Sequence, residues 1–106
     1  MKIVSVTACP TGIAHTYITR EKILNAAKEC GYSCYVETQG TIGIENRITE
    51  EQIKDADVVL LAVDVKILGE DRFKGKPIVR CRTEDIMHNT DEFLRKIEEK
   101  LKLKNN

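Results

Sequence analysis

Neither sign of charge is in excess: Lys and Arg total 17, Asp and Glu total 17, and the formal net charge is zero. A chain so balanced has no electrostatic footprint for a nucleic-acid partner. Long hydrophobic runs are missing too. The longest apolar stretch, residues 58–63 (VVLLAV), falls far short of the ~20 residues a helix needs to cross a bilayer, so no direct membrane insertion is expected. The N-terminus, MKIVSVTACPTG, puts one lysine before only a few apolar residues, which makes a poor secretory signal and a good first strand. Only two prolines occur, and neither falls within residues 12–29, leaving that stretch open to a helix. Four cysteines stand at positions 9, 30, 34 and 81; without a secretory signal they are expected as reduced thiols in a cytoplasmic protein. No repeat, low-complexity segment or internal linker interrupts the chain.

What is present is ordinary for a globular domain. Hydrophobic residues make up 42% and charged residues 32% of 106 residues. A chain of that length buries roughly two-thirds of its unfolded surface and folds without disulfides or metals. One domain is expected over residues 1–103, with a frayed tail at 104–106. Residues 2–7 (KIVSVT) read as a strand, and residues 12–29 as a helix with Ile23, Ala27 and Cys30 at helical spacing and Gly31 as its C-terminal cap. Residues 33–38 (SCYVET) form a second strand, followed by a loop at 39–47 (QGTIGIENR).

The run Thr49-Glu50-Glu51-Gln52 matches a capping box and starts a short helix over residues 50–55. Residues 57–63 (DVVLLAV) read as a parallel strand buried on both faces. A helical turn around residues 70–73 and a fourth strand at 77–81 (PIVRC) follow. Thr83 and Thr90 are each placed to cap a helix, and residues 92–103 (EFLRKIEEKLKL) are amphipathic. This alternation predicts an α/β domain: an open four-stranded parallel sheet in the order 2-1-3-4, with helices on both faces in a flavodoxin-like winding. Its switch point opens above the carboxyl end of the first strand, where Cys9 stands.

A strand-to-helix turn gathers backbone N–H groups at the positive end of a helix dipole, and Gly12 permits the left-handed backbone of an anion nest. A thiol held there is expected to have a lowered pKa and thiolate character. The amides that stabilise thiolate could equally bind the oxygens of a phosphoryl group on the sulfur. No Gly-Lys-Ser/Thr follows, which argues against nucleotide binding. The spacing is similar to that of the cysteine phosphatases, a cysteine and five residues before an arginine and a hydroxyl residue. Here the run is Cys9, PTGIA, His15, Thr16, with histidine in place of the bidentate arginine fork. Three classes remain open at this point: a phosphocarrier, a low-molecular-weight cysteine phosphatase-like hydrolase, and a redox or regulatory module in which Cys9 is reversibly oxidised.

Residues 8–17 (ACPTGIAHTY) closely resemble the active-site motif of the fructose-type IIB components of the bacterial phosphoenolpyruvate-dependent sugar phosphotransferase system. The resemblance continues through VETQGTIGIEN at 36–46, DVVLLAVDV at 57–65 and RFKGKPI at 72–78, covering nearly the whole chain. It implies that Cys9 accepts a phosphoryl group from phosphohistidine on a IIA component and passes it to a sugar bound by the membrane IIC component. IIA, IIC and the IIC-bound sugar are thus the implied partners, at the inner face of the membrane; no cofactor and no metal are implied. Relatives often carry small residues after the HTY, where this chain has Ile18-Thr19-Arg20; Arg20 is expected to face solvent or a partner. Relatives also occur fused to IIA or IIC domains, whereas this chain is a lone IIB-sized unit.

The expected phosphate-binding loop is Pro10, Thr11, Gly12, Ile13, Ala14, His15 and Thr16, with the Thr11 and Thr16 hydroxyls as donors. For His15, a phosphate contact and a plain first-turn residue are equally expected. Gln39 and Gly40 follow the second strand at the same edge of the sheet and are candidates to line the site or meet a partner. Asp64, at the end of the third strand, is a general acid in the phosphatase reading; in a carrier the expectation is that it caps a turn. Cys30, Cys34 and Cys81 are expected to be small buried hydrophobes, because their spacing lacks a zinc pattern. Tyr17 is expected to pack on the sheet with its hydroxyl within reach of the loop.

Overall fold

The computed structural model describes residues 1–9, 13–40 and 43–104, with side chains omitted for 13–15 and 102–104. The expected frayed tail falls outside the described residues except for Lys104, which ends the last helix. The strands are β1 (Lys2–Ala8), β2 (Ser33–Gly40), β3 (Gly43–Glu45), β4 (Val58–Val63) and β5 (Ile78–Cys81). The helices are α1 (Ile13–Cys30), α2 (Glu50–Asp55), α3 (Thr83–Met87) and α4 (Thr90–Lys104), with a 3-10 turn at Glu70–Phe73.

The sheet is five-stranded and mixed, not the four-stranded parallel sheet expected. Its order is β3-β2-β1-β4-β5. β2, β1, β4 and β5 are parallel, and β3 runs antiparallel along β2 through Thr38↔Glu45, Gln39↔Ile44 and Gly40↔Gly43. The segment read as loop therefore contains a hairpin. Gly43 makes the return with φ 106, a backbone closed to most L-residues. With three residues, β3 is too short for an alternating pattern to be read from sequence.

β4 shows why a continuous apolar run marks a central strand. Val58, Leu60 and Ala62 face α1, α3 and α4 in a core with Ile3, Ile23, Ile86 and Leu94. Val59, Leu61 and Val63 face the opposite way and pack with Val4, Val6, Ile53, Ile67 and Phe73 under α2 and the 3-10 turn. Both layers exclude water, so alternation disappears from the sequence.

Caps close the elements. α1 ends at Gly31 (φ 79), where the Tyr32 amide donates to the Ala27 carbonyl and the Gly31 amide to Lys28. Thr49 and Gln52 exchange both capping-box bonds at α2, and Lys76 Nζ donates to the Lys54 and Ala56 carbonyls at its other end. Two expected caps are corrected. Thr83 is the first residue of α3, whose cap position is Arg82. Thr90 turns its hydroxyl back onto the Ile86 carbonyl, closing α3 rather than opening α4.

Candidate functional site

β1 is the central strand, and it delivers Cys9 to the carboxyl edge of the sheet, four residues before α1 starts at Ile13. The last strand pairs, Ala8↔Gln39 and Ala8↔Val63, leave Cys9 between Gly40 and Asp64. The Asp64 amide donates to the Ala8 carbonyl at 2.9 Å, which holds the two strand ends together. Cys9 is buried within the chain's own fold, yet it lines an open cleft of about 350 Å³ with Ala8, Gln39, Gly40, Ile44, Lys66 and Leu68. Lys66 carries the only charged side chain among the described lining residues. Val65 and Leu68 at the rim are exposed by 41% and 70%, so the entrance is largely apolar.

Of the expected phosphate loop, Pro10, Thr11 and Gly12 lie outside the described residues, as do the side chains of Ile13, Ala14 and His15. Ile13, Ala14 and His15 form the first turn of α1. Thr16 is buried on the same helix. Arg20 does not face solvent freely: it is half-buried, pairs with Glu21 at 3.1 Å and keeps its Nε inside without a hydrogen bond. The Tyr17 hydroxyl donates to Glu45 on β3, tying the helix after the cysteine loop to the edge hairpin.

Asp64 is more than a turn cap. Its carboxylate accepts the Thr83 amide at 3.0 Å and the Thr83 hydroxyl at 2.6 Å, and Arg82 Nε stands 3.7 Å away. Burial alone raises its pKa, but the bonds from Thr83 and the Cys9 thiol, with the Arg82 charge, hold it below the usual carboxylate range. It is a poor proton donor at neutral pH.

Gln39 and Gly40 both reach the cleft, but the Gln39 carboxamide is already committed. Its Nε2 donates to Glu37 Oε2 and to the Leu68 carbonyl, both at 2.9 Å, and its Oε1 accepts the Leu68 amide at 2.8 Å. Glu37, Arg72, Lys66 and Leu68 were not marked by the sequence as site residues. One signal existed: Glu37 is the one charged residue of the strand read at 33–38, and such a group, if buried, needs a partner. The partner, Arg72, is 35 positions away, where spacing carries no information.

The other cysteines are free thiols and only partly buried, less enclosed than expected. Among the described residues no group of three or more His, Cys, Asp or Glu is placed to hold a metal ion. No described helix is long and apolar enough to cross a membrane.

A family model described as "PTS system, Lactose/Cellobiose specific IIB subunit" matches residues 4–96. The "PTS system fructose-like EIIB component 2" of Escherichia coli (strain K12) is 48% identical over 97 residues, 92% of each chain. In the "PTS system fructose-specific EIIB'BC component" of Haemophilus influenzae, 44% identity extends over 90 residues, 85% of this chain but 16% of that one. Among solved structures, a domain of a fructose-specific IIABC component from Borrelia burgdorferi superposes with TM-score 0.83 at 56% identity, covering 89% of both chains. The Enzyme IIB subunit of the PTS system from Escherichia coli K12 superposes with TM-score 0.91 at 31% identity, covering 99% of this chain and 97% of that one. With the match running through both core layers and the cysteine edge of the sheet, the chain belongs to the IIB family of the sugar phosphotransferase system, a family of transferase components, and its relatives are of the fructose type.

Proposed function

We propose that this protein is a phosphocarrier in which Cys9 accepts a phosphoryl group from a phosphohistidine of a IIA component and hands it to a fructose-type sugar held by a membrane IIC component. The observation that carries the reading is the position of Cys9: just past the end of the central strand, four residues before an 18-residue helix, at the wall of an open cleft whose one charged side chain among the described lining residues is a cation. An N-terminal helix end and Lys66 both favour the negative phosphoryl oxygens. In the first step the N–P bond of the donor breaks, the S–P bond of S-phosphocysteine forms, and the thiol proton goes to the donor histidine. In the second, the sugar hydroxyl attacks phosphorus, the S–P bond breaks, and the hydroxyl proton returns to sulfur. Carriage requires that water not compete. Asp64, held deprotonated and engaged by Thr83, is unsuited to the general-acid role that a phosphatase would require.

The names of the fused relatives support IIC as the membrane partner, beside which the protein would work on the cytoplasmic side. The remaining expected loop residues, from Pro10 to Thr16, are proposed to cradle the phosphoryl oxygens. A mass measurement tests the reading. Incubation with phosphoenolpyruvate, the general phosphotransferase proteins and a fructose-type IIA domain should add about 80 Da, the mass of one phosphoryl group. Cys9→Ser should abolish the gain. No gain while the IIA domain is itself phosphorylated overturns the proposal.

A further inference from the structure

The cleft above Cys9 has two walls that no strand joins. One is the end of β2, with Gln39 and Gly40; the other is the segment 65–69 after β4, which carries Val65, Lys66 and Leu68. Segment 65–69 forms no regular helix or strand. The Gln39 side chain bridges the gap. Gln39 pairs with both backbone groups of Leu68, giving and taking one hydrogen bond each, as a neighbouring strand would. The second Nε2 proton is spent on Glu37. Neither amide proton is left for a phosphoryl oxygen.

Glu37 fixes that amide in turn. It is fully buried, and its carboxylate is saturated: Oε1 accepts the Ile48 amide at 3.0 Å and Arg72 at 2.8 Å, while Oε2 accepts Arg72 at 2.6 Å and Gln39 at 2.9 Å. The fork-to-fork geometry of Arg72 on Glu37 leaves one orientation for the carboxylate, and that carboxylate leaves one orientation for the Gln39 amide. Arg72 belongs to the 3-10 turn that follows segment 65–69, so the distal end of the segment, at Leu68, and the turn after it are both anchored to the same strand, β2.

We propose that Gln39, oriented by the Glu37–Arg72 pair, is a positioning residue that sets the width of the Cys9 cleft and the place of Lys66 within it. The proposal rests on the phosphocarrier reading, because the width matters only if a phosphoryl group must meet the sulfur in line. Phosphoryl transfer is governed by positioning, and a misplacement of about 1 Å costs up to about a hundredfold in rate.

Gln39→Met keeps the length of the side chain and removes all of its hydrogen bonds. Two rates are compared with wild type: phosphoryl acceptance from the phosphorylated IIA domain, and alkylation at Cys9 by a dye-sized maleimide relative to iodoacetamide. The expected result is an acceptance rate lowered about tenfold or more, with the bulky-to-small alkylation ratio raised about fivefold. A role in stability alone would lower the melting temperature and leave both readouts where they were. Acceptance and ratio both within about twofold of wild type, in a cooperatively folded variant, overturn the proposal. Acceptance by wild type and Gln39→Met alike overturns the positioning role only, whereas no acceptance by wild type overturns the phosphocarrier reading itself. If Gln39→Met does not fold, Arg72→Lys retains the buried charge pair, loses the fork, and is read the same way.

Discussion

Two of the cysteines away from the cleft are held as neutral thiols. Burial pushes the Cys34 and Cys81 thiols up to about 12, and for Cys81 the Asp85 and Asp64 carboxylates add to it. Thiols so held are protonated and unreactive. In the native chain at about pH 8 these two should therefore resist iodoacetamide and become modified only on unfolding. Peptide mass mapping checks this, and modification of Cys34 at the rate of an unfolded control would contradict it. Two residues before Cys9, Thr7 is fully buried with an Oγ1 that meets no hydrogen-bond partner among the described residues. A buried hydroxyl without a partner costs stability, so Thr7→Val should raise the unfolding free energy by about 1 kcal/mol, measured by urea titration. At this scale the sequence marked Cys9 and Gln39 as residues of one edge. It did not mark Leu68 as the partner of Gln39 or Arg72 as the partner of Glu37, because hydrogen bonds between residues 29 and 35 positions apart leave no local pattern.

At the scale of the element, the most legible features are those closed by neighbours in sequence. The capping box at Thr49 and Gln52 is an exchange across three positions, and it forms as read. Thr49→Ala should cost about 1 kcal/mol, seen as a lowered urea midpoint, because the first turn of a six-residue helix has few other sources of order. Gly31 ends α1 for an equally local reason. β3 was unreadable because its three residues are too few to show an alternation; its pairing with β2 and the Tyr17–Glu45 contact with α1 define it. Thr83 and Thr90 illustrate a third case. Both have the residue type of a cap, yet Asp64, 19 positions away, claims the Thr83 hydroxyl, and the Ile86 carbonyl one turn back claims that of Thr90.

For the whole molecule, the buried Glu37–Arg72 pair joins the sheet to the layer that covers it. Burial raises the Glu37 pKa, but bonds from Arg72, Gln39 and the Ile48 amide outweigh it and leave the carboxyl below its usual range. Asp64 is depressed as well. Both groups bind protons more readily when unfolded. Their contribution is thus fully present above the unfolded carboxylate value of about 4 and is lost as pH falls through their lower folded values. Urea midpoints should hold from about pH 7 to about pH 5 and then drop below about pH 4, and Glu37→Gln with Arg72→Met should flatten that drop. An unchanged slope in the double variant would remove Glu37 from the account. The sequence by itself determined the two-layered α/β winding, because strand and helix periods and the doubly buried β4 are set by which side chains avoid water. It also determined that a thiol stands at the carboxyl edge of the central strand, since topology puts it there. Only the tertiary structure decided that a fifth strand extends the sheet, that Asp64 is bound to Thr83 beside Cys9, and that Gln39 spans the cleft instead of reaching into it. The Asp64 and Gln39 bonds join segments 19 and 29 positions apart, whose partners are chosen by the packing of the folded chain and not by spacing along it, while the fifth strand is too short to show a pattern.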